Sequence, residues 1–223
     1  MSVSTFIIRQ CLQPECRFRF PVKSDSLLGN SCPHCGTRTE VVSVHANHLV
    51  DQLPGYREGP VVEALLDNIR SVYNVGSIFR TADGAGITHL HLCGISANPD
   101  HPQLAKTSLG AETSTPWTQY KNGVDAATAL KQRGFQLWAI EGSSDAQPLV
   151  EAAATIPEAP VVLVVGNEIS GVDPGILDLC DRTLWIPMQG QKQSLNVAVA
   201  FGIAAYFIRQ IPGILDSSGS SSK

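Results

Sequence analysis

The chain of 223 residues has no apolar run that approaches the roughly 20 residues of a membrane-spanning helix. Its first residues also lack the basic segment and apolar core of a secretory signal peptide. We therefore expect a cytoplasmic protein without a membrane anchor. In that compartment its six cysteines are expected to be metal ligands or buried thiols and not disulfides.

The chain also lacks the strong positive charge typical of nucleic-acid-binding proteins, because its formal net charge is −4. The charge is unevenly distributed, since residues 1–50 carry five basic and three acidic side chains and the remainder is correspondingly acidic. A weakly basic head on an acidic body indicates a head that contacts phosphates, although a difference of this size also arises by chance.

The glycine fingerprint of dinucleotide-binding proteins is absent as well. Gly84-Ala-Gly86 is followed by His89 where a third glycine is needed, and this segment ends a predicted helix instead of beginning one. The sequence therefore excludes a Rossmann dinucleotide site.

Four of the six cysteines lie near the start of the chain with the spacing of metal ligands. These candidate zinc ligands are Cys11, Cys16, Cys32 and Cys35. Two thiolate pairs on two turns can close a tetrahedron around Zn²⁺, so residues 1–45 are predicted to form a zinc-ribbon-like domain. His34 is an alternative ligand, and a metal-free loop is the alternative for the segment. Cys93 and Cys180 lie in apolar contexts and are predicted to be buried thiols.

The rest of the chain alternates short apolar strands with helices. We predict a linker over residues 46–60, an α/β domain over 61–212 and a disordered Ser/Gly-rich tail over 213–223. The predicted strands are 61–66, 90–93, 136–140, 161–165 and 184–186, and the predicted helices are 75–85, 124–133 and 194–211. This alternation predicts an α/β fold with a mostly parallel sheet and helices on both faces.

Three polar motifs lie at the ends of these predicted elements. They are Asn74-Val-Gly-Ser-Ile-Phe-Arg80, Gly166-Asn-Glu168, and the segment from Ile186-Pro-Met188 to Ser194-Leu-Asn196. Gly166 directly follows a buried strand, at the edge where open α/β sheets bind ligands. Each motif also has a purely structural interpretation: Asn74 and Ser194 are good helix N-caps, Glu168 suits a helix entry, and Arg80 can be a solvated cation.

The three motifs, in this order, resemble the SpoU/TrmH branch of the SPOUT methyltransferases over roughly residues 61 to 210. The resemblance implies transfer of a methyl group from S-adenosylmethionine to a ribose 2′-hydroxyl of RNA, with tRNA and rRNA both possible. It also implies a C-terminal trefoil knot and a homodimer.

The resemblance further assigns roles to single residues. Arg80 is implied as the central catalytic residue, and its permanently charged guanidinium suits a phosphate clamp better than a base. The other implied catalytic residues are Asn74, Glu168, Ser194 and Asn196, and the implied cofactor-binding residues are Gly166, Ile186, Met188 and Leu195. Lys106 and Glu112 lie in a loop with a weaker match. Contact of Lys106 with an RNA phosphate and of Glu112 with the pocket is one interpretation, and a solvated loop is equally favoured.

Two other functions remain open from the sequence. One is methylation of an RNA base by the same fold, which the first and third motifs argue against. The other is an RNA-binding module without turnover, which the presence of every matching polar residue argues against.

Overall fold

The computed structural model describes residues 6–45, 60–152 and 159–218. The chain forms two compact units, Met1–Tyr56 and Arg57–Lys223. Most of the predicted linker over 46–60 and the last residues of the predicted tail, 219–223, lie outside the described residues.

The first unit, the head, contains a three-stranded antiparallel sheet in the order β2-β1-β3. The strands are β1 (Phe6–Cys11), β2 (Arg19–Lys23) and β3 (Thr39–His45), and one turn of 3-10 helix spans Leu27–Asn30. Cys11 at the end of β1 pairs with Thr39 at the start of β3. The turn that follows β1 and the turn that precedes β3 therefore lie at the same end of the sheet.

The second unit, the body, is built on a seven-stranded sheet in the order β6-β5-β4-β9-β7-β10-β8, and every pairing described within it is parallel. Its strands are β4 (Val62–Asp67), β5 (Leu90–Cys93), β6 (Trp117–Tyr120), β7 (Gln136–Ile140), β8 (Gln147–Pro148), β9 (Val161–Val165) and β10 (Arg182–Trp185). Parallel strands need crossover connections, and helices supply most of them. The predicted parallel α/β sheet is confirmed, and the trefoil knot stays a prediction.

The helices of the body lie on both faces of this sheet. They are α1 (Val72–Ala85), α2 (Ala105–Ser108), α3 (Ala111–Ser114), α4 (Gly123–Gln132), α5 (Leu149–Ala152), α6 (Pro174–Leu177) and α7 (Val197–Ser218). In the strand β4, Ala64 and Leu66 join the apolar cluster under α1 and α7, whereas Leu65 joins the cluster under α4 and α6. This alternation follows from the two-residue period of a strand.

Three strands, β5, β7 and β9, have the bounds that the sequence predicts. β6 lies in a stretch that the sequence left without structure, because Trp117–Tyr120 is only half-buried and carries a weak apolar signal. α7 continues to Ser218 through residues that the sequence assigned to a disordered tail. In the described part of the chain, no helix is long and apolar enough to cross a bilayer.

α1 packs closely on α2 at a glycine of the first polar motif. A Cβ on Gly76 would lie 2.9 Å from the carbonyl oxygen of Leu104 and still closer to the Thr107 hydroxyl. Because this close approach leaves no space for a side chain, Gly76 is explained by helix packing.

Candidate active site

The carboxyl ends of β7, β9 and β10 open onto a cavity of about 370 Å³. The carboxyl ends of parallel strands meet at one edge of a sheet, and open α/β sheets bind ligands there. Four cavity-lining residues are those predicted to bind the cofactor, namely Gly166, Ile186, Met188 and Leu195. The walls also include Glu168, Ser194 and Asn196 from the predicted catalytic set.

Glu168 connects the loop after β9 to the start of α1. Its Oε2 accepts a hydrogen bond from the Arg70 amide at 2.9 Å, and its Oε1 accepts one from the Ser71 amide at 3.0 Å. Oε1 also accepts a hydrogen bond from Asn74 Nδ2 at 2.8 Å. A carboxylate at a helix N-terminus is favoured because the first amides of the helix have no partner within it.

These hydrogen bonds set the charge state of the carboxylate. Burial by itself would raise the pKa of Glu168, but the hydrogen bonds from the Arg70 amide, the Asn74 side chain and the Ser71 amide outweigh it and lower the pKa. Glu168 is therefore ionised at neutral pH and accepts hydrogen bonds only.

Asn74 connects Glu168 to the start of α7. Asn196 donates a hydrogen bond from its Nδ2 to Asn74 Oδ1 at 3.0 Å. Asn196 Oδ1 accepts from the amides of Ala198 at 2.9 Å and Val199 at 3.4 Å. Glu168, Asn74 and Asn196 thus form one hydrogen-bonded chain at the edge of the cavity. In sequence, Asn74 lies 94 positions before Glu168 and 122 positions before Asn196.

The N-caps of α1 and α7 are not Asn74 and Ser194, the two N-cap candidates from the sequence. α1 is capped by Ser71, whose hydroxyl accepts from the Asn74 amide at 3.4 Å, and Asn74 itself lies in the first turn. α7 begins at Val197, and Asn196 rather than Ser194 binds its first free amides. Ser194 therefore lies in the loop, on the wall of the cavity.

Among the predicted catalytic residues, Arg80 belongs neither to the cavity wall nor to the hydrogen-bonded chain Glu168–Asn74–Asn196. It is exposed on α1, and it lines neither the cavity nor the open groove between α1 and α7. Among the described residues, no ion pair or hydrogen bond engages its side chain. The six-residue separation from Asn74 places the two side chains about 120° apart around the helix.

The close packing of the backbone around position 166 requires a glycine there. A Cβ at this position would overlap the carbonyl of Gly171 and the amide of Val172. Asn167 and Gly171 close this loop with hydrogen bonds of 3.0 and 2.9 Å between their backbone groups. The sequence interpretation, in which Gly166 admits a ligand to the backbone, therefore has a competing structural reason.

Two residues of this edge were missed from the sequence. Asn167 donates from Nδ2 to the Asn68 carbonyl at 2.8 Å and accepts from the Ile169 amide at 2.9 Å, which holds the loop against the end of β4. Glu141 lines the cavity and accepts from the Val172 amide at 3.1 Å. The signal for Glu141 was available, because it directly follows β7 at the carboxyl edge.

The loop around Lys106 and Glu112 forms the short helices α2 and α3. Lys106 is exposed, and Glu112 Oε2 accepts from the Gly110 amide at 3.0 Å. Neither residue lines the cavity.

The head brings the four predicted zinc ligands together. The Sγ atoms of Cys11, Cys16, Cys32 and Cys35 all lie within 4.8 Å of one another. The closest pair is Cys11 and Cys35 at 3.4 Å, and Cys16 lies 3.9 Å from Cys32. Sulfurs about 2.3 Å from a tetrahedral zinc ion lie about 3.8 Å apart, so this cluster fits the ion.

His34 lies beside the cysteine cluster. Its Nδ1 is 3.5 Å from Cys16 Sγ. Outside the cluster, Cys93 is buried and Cys180 is half-buried in the body. Burial raises the pKa of each of these two thiols to about 12, so both are neutral.

The body is an α/β fold with a cavity at the carboxyl edge of a parallel sheet. The sequence profile described as "SpoU rRNA Methylase family" matches residues 62–206. The chain belongs to this family.

Individual relatives agree with that assignment. The tRNA (guanosine(18)-2′-O)-methyltransferase of Aquifex aeolicus is 36% identical over 144 residues, which are 63% of this chain and 64% of that protein. The chain thus spans less than two thirds of that relative's length. The crystal structure of the A. aeolicus TrmH/SpoU tRNA modifying enzyme matches with a TM-score of 0.63 at 29% identity, over 75% of this chain and 84% of that chain.

A second solved structure contains the cofactor. The SpoU methyltransferase AviRb from Streptomyces viridochromogenes, in complex with AdoMet, matches with a TM-score of 0.61 at 28% identity. The match covers 80% of this chain and 70% of that one.

Proposed function

We propose that this protein transfers a methyl group from S-adenosylmethionine to a ribose 2′-hydroxyl of tRNA or rRNA. The observation that carries the proposal is the cavity at the carboxyl edge of the sheet, bordered by the chain Glu168–Asn74–Asn196. Family membership supports the same activity, because the A. aeolicus relative is named as a 2′-O-methyltransferase.

The cavity fits S-adenosylmethionine in size and charge. Its volume of about 370 Å³ lies in the range of small-molecule sites. Ile186, Met188 and Leu195 supply apolar walls for the adenosyl group. The charged residues that line it are two carboxylates, Glu141 and Glu168, and this sign favours a cationic ligand.

Bound in this cavity, S-adenosylmethionine supplies a methyl group on a positively charged sulfur. Methyl transfer then depends chiefly on orientation of the ribose hydroxyl. Asn74 and Asn196 each donate one N–H to the chain and retain a second for a ribose oxygen. Glu168 fixes the Asn74 amide, Asn74 in turn fixes the Asn196 amide, and Ser194 adds a hydroxyl on the cavity wall.

Arg80 completes the proposed site from the RNA side. Its guanidinium has no internal partner among the described residues, so it is available to bind a phosphate next to the reacting ribose. Because Arg80 does not line the cavity, contact with RNA is favoured over contact with the cofactor.

The test is to incubate the protein with labelled S-adenosylmethionine and total RNA, and to map the label by resistance to alkaline cleavage. A 2′-O-methyl group blocks cleavage at one phosphodiester, so each modified nucleotide is expected as a resistant bond. Label on an alkali-sensitive nucleotide would identify a base methyltransferase. Absence of label, with RNA still bound, would identify a binding module.

The cysteine cluster is proposed to hold one structural zinc ion. A head of about 40 residues has little apolar core, and a structural metal supplies the missing stability. Metal analysis of protein purified without chelator should give about one zinc per chain. The double change Cys32→Ser and Cys35→Ser should remove it, whereas Cys180→Ser, outside the cluster, should retain it. Zinc retained by the double variant would contradict the site.

A homodimer in the cytoplasm is the proposed state of the protein. α7 exposes Val199, Ile203 and Tyr206, with 50%, 39% and 45% of their surface accessible, beside the open groove along α1. Apolar side chains grouped on one helix face favour contact with a second copy.

A further inference from the structure

The head exposes much of one aromatic ring, that of Phe18. Phe18 directly precedes β2, and 42% of its surface is accessible. Its ring stacks on His34, with centroids 5.8 Å apart and planes inclined by 16°. The ring of Phe20 also lies close, with centroids 5.9 Å apart and planes inclined by 34°. The ring is therefore held in one orientation while much of it remains exposed.

The support under Phe18 is coupled to the cysteine cluster. His34 lies between the two, with Nδ1 3.5 Å from Cys16 Sγ and its backbone amide donating to Cys32 Sγ at 3.4 Å. The side chain stacked on Phe18 is thus placed by the same residues that are proposed to bind zinc.

Exposed cations precede and follow Phe18 in the sequence. They are Arg17 and Arg19, and Arg17 adopts a left-handed backbone conformation with φ of 45°. Among the described residues, no ion pair engages either arginine. Arg9 in the same head differs, because it donates to Thr39 Oγ1 at 2.7 Å and to the Thr39 carbonyl at 3.0 Å. The charges of Arg17 and Arg19 are therefore not neutralised by ion pairs within the described residues.

We propose that Arg17, Phe18, Arg19 and His34, here called the Phe18 surface, bind single-stranded RNA. A base stacks on the exposed part of the Phe18 ring, and the two arginines bind the adjoining phosphates. Aromatic rings flanked by basic side chains bind single strands without sequence preference, because every base has a stacking face. Duplex RNA fits this surface poorly, since its base faces are covered by their neighbours.

The proposal rests on the proposed function only in taking RNA as the substrate. It adds that the head, remote in sequence from the catalytic motifs, captures an unpaired segment of that RNA. Because the ring is already held by His34, stacking requires little further ordering of the protein.

The test uses the full-length, zinc-loaded protein and a labelled oligouridylate about a dozen nucleotides long, with fluorescence anisotropy as the readout. Phe18→Leu keeps an apolar side chain but removes the aromatic face, and should weaken binding roughly tenfold. Phe18→Tyr keeps the ring and should bind within about twofold of the parent. The matched control is Leu28→Ala, which removes an 87% exposed apolar side chain of the same head and should leave affinity unchanged.

Salt dependence tests the arginines separately. Replacing both Arg17 and Arg19 by Gln should reduce the slope of log affinity against log salt by about 1.4, because each phosphate that the protein no longer neutralises lowers the slope by about 0.7. The zinc content of every variant reports whether the head is still folded. With zinc retained, equal binding by Phe18→Leu and the parent would overturn the proposal.

The remaining outcomes are also decisive. Equal affinity for an oligouridylate and a duplex of the same length would show that backbone charge alone is recognised, and would overturn base stacking. Failure of the parent to bind either RNA would overturn the proposal. Phe18-dependent binding without methyl transfer to any RNA would contradict the proposed function and leave this surface intact.

Discussion

Arg80 carries a full positive charge on the exposed side of α1, and no described side chain neutralises it. If it binds an RNA phosphate during methyl transfer, Arg80→Ala should lower the single-turnover rate by at least about a hundredfold. Arg80→Lys should recover little of this loss, because a point charge does not reproduce a planar pair of N–H donors. Affinity for S-adenosylmethionine should change little, which calorimetry can measure.

Lys121 provides the control for Arg80, because it is another exposed cation of the body. Lys121→Ala should keep the parent rate. A near-parent rate in Arg80→Lys would show that charge alone matters and that the two-donor geometry does not.

Gly166 is the residue whose substitution should affect folding most directly. A Cβ there would overlap the backbone at Gly171 and Val172, so Gly166→Ala should lower the free energy of unfolding by about 1–3 kcal/mol. Gly142 lines the same cavity, and a Cβ there meets nothing within 4 Å, so Gly142→Ala should be nearly neutral. Denaturant unfolding of both variants measures the difference. Equal stability would show that the loop shifts to accommodate the methyl group.

The site residues that could be predicted from the sequence are those that lie next to a recognisable apolar strand or helix. Gly166 and Glu168 directly follow a buried apolar strand, and Ser194 and Asn196 precede a long apolar helix. Asn167 was overlooked because its role is to bond the backbone of Asn68, nearly a hundred positions away, which no local pattern indicates.

At the scale of secondary-structure elements, the N-terminus of α1 is joined by hydrogen bonds to the loop after β9 and to the start of α7. Glu168 binds the amides of Arg70 and Ser71, which directly precede α1, and Asn196 reaches the first turn of α1 through Asn74. Because these bonds lower the pKa of Glu168, the ionised carboxylate is favoured in the folded state.

The expected consequence is a pH-dependent contribution to stability. It is fully present above the unfolded-state pKa of about 4.3 and is lost as pH falls through the lower, folded-state pKa. Glu168→Gln should lower the free energy of unfolding by about 1 kcal/mol at neutral pH, a modest loss because the side chain is exposed to water. The difference between parent and variant should disappear as pH falls below about 4, measured by denaturant unfolding. A constant difference across this range would contradict the assignment.

Strands with continuous burial were the elements best predicted from sequence. All five residues of β9, Val161–Val165, are buried, and an unbroken apolar run of this length between turn signals favours a buried strand. β6 is an edge strand with a half-exposed pattern, and the sequence missed it for that reason.

At the scale of the whole molecule, the exposed face of α7 predicts association. Ile203→Lys places a charge among the apolar side chains beside the groove and should dissociate a dimer into monomers, measured by analytical ultracentrifugation. Ile95→Lys is the control, because Ile95 is 66% exposed but lies after β5. A monomeric parent protein, or an Ile203→Lys variant that remains dimeric, would contradict this interface.

The sequence by itself determined the parallel α/β class and the family of this protein. It also determined the residue types available for chemistry. Those properties follow from local signals, namely apolar runs of strand length, helix-stop glycines, and three ordered polar motifs. The spacing of the four cysteines was equally informative, because thiolate pairs on turns have few other uses in a short segment.

Only the tertiary structure decided which of these residues meet. It joined Glu168, Asn74 and Asn196 into one hydrogen-bonded chain, left Arg80 outside the cavity, and set Phe18 on His34 beside the cysteine cluster. The physical reason is that such contacts depend on strand order and helix packing, which bring together groups far apart in the chain. Strand order is set by the packing of the whole sheet and not by the residues of any one strand.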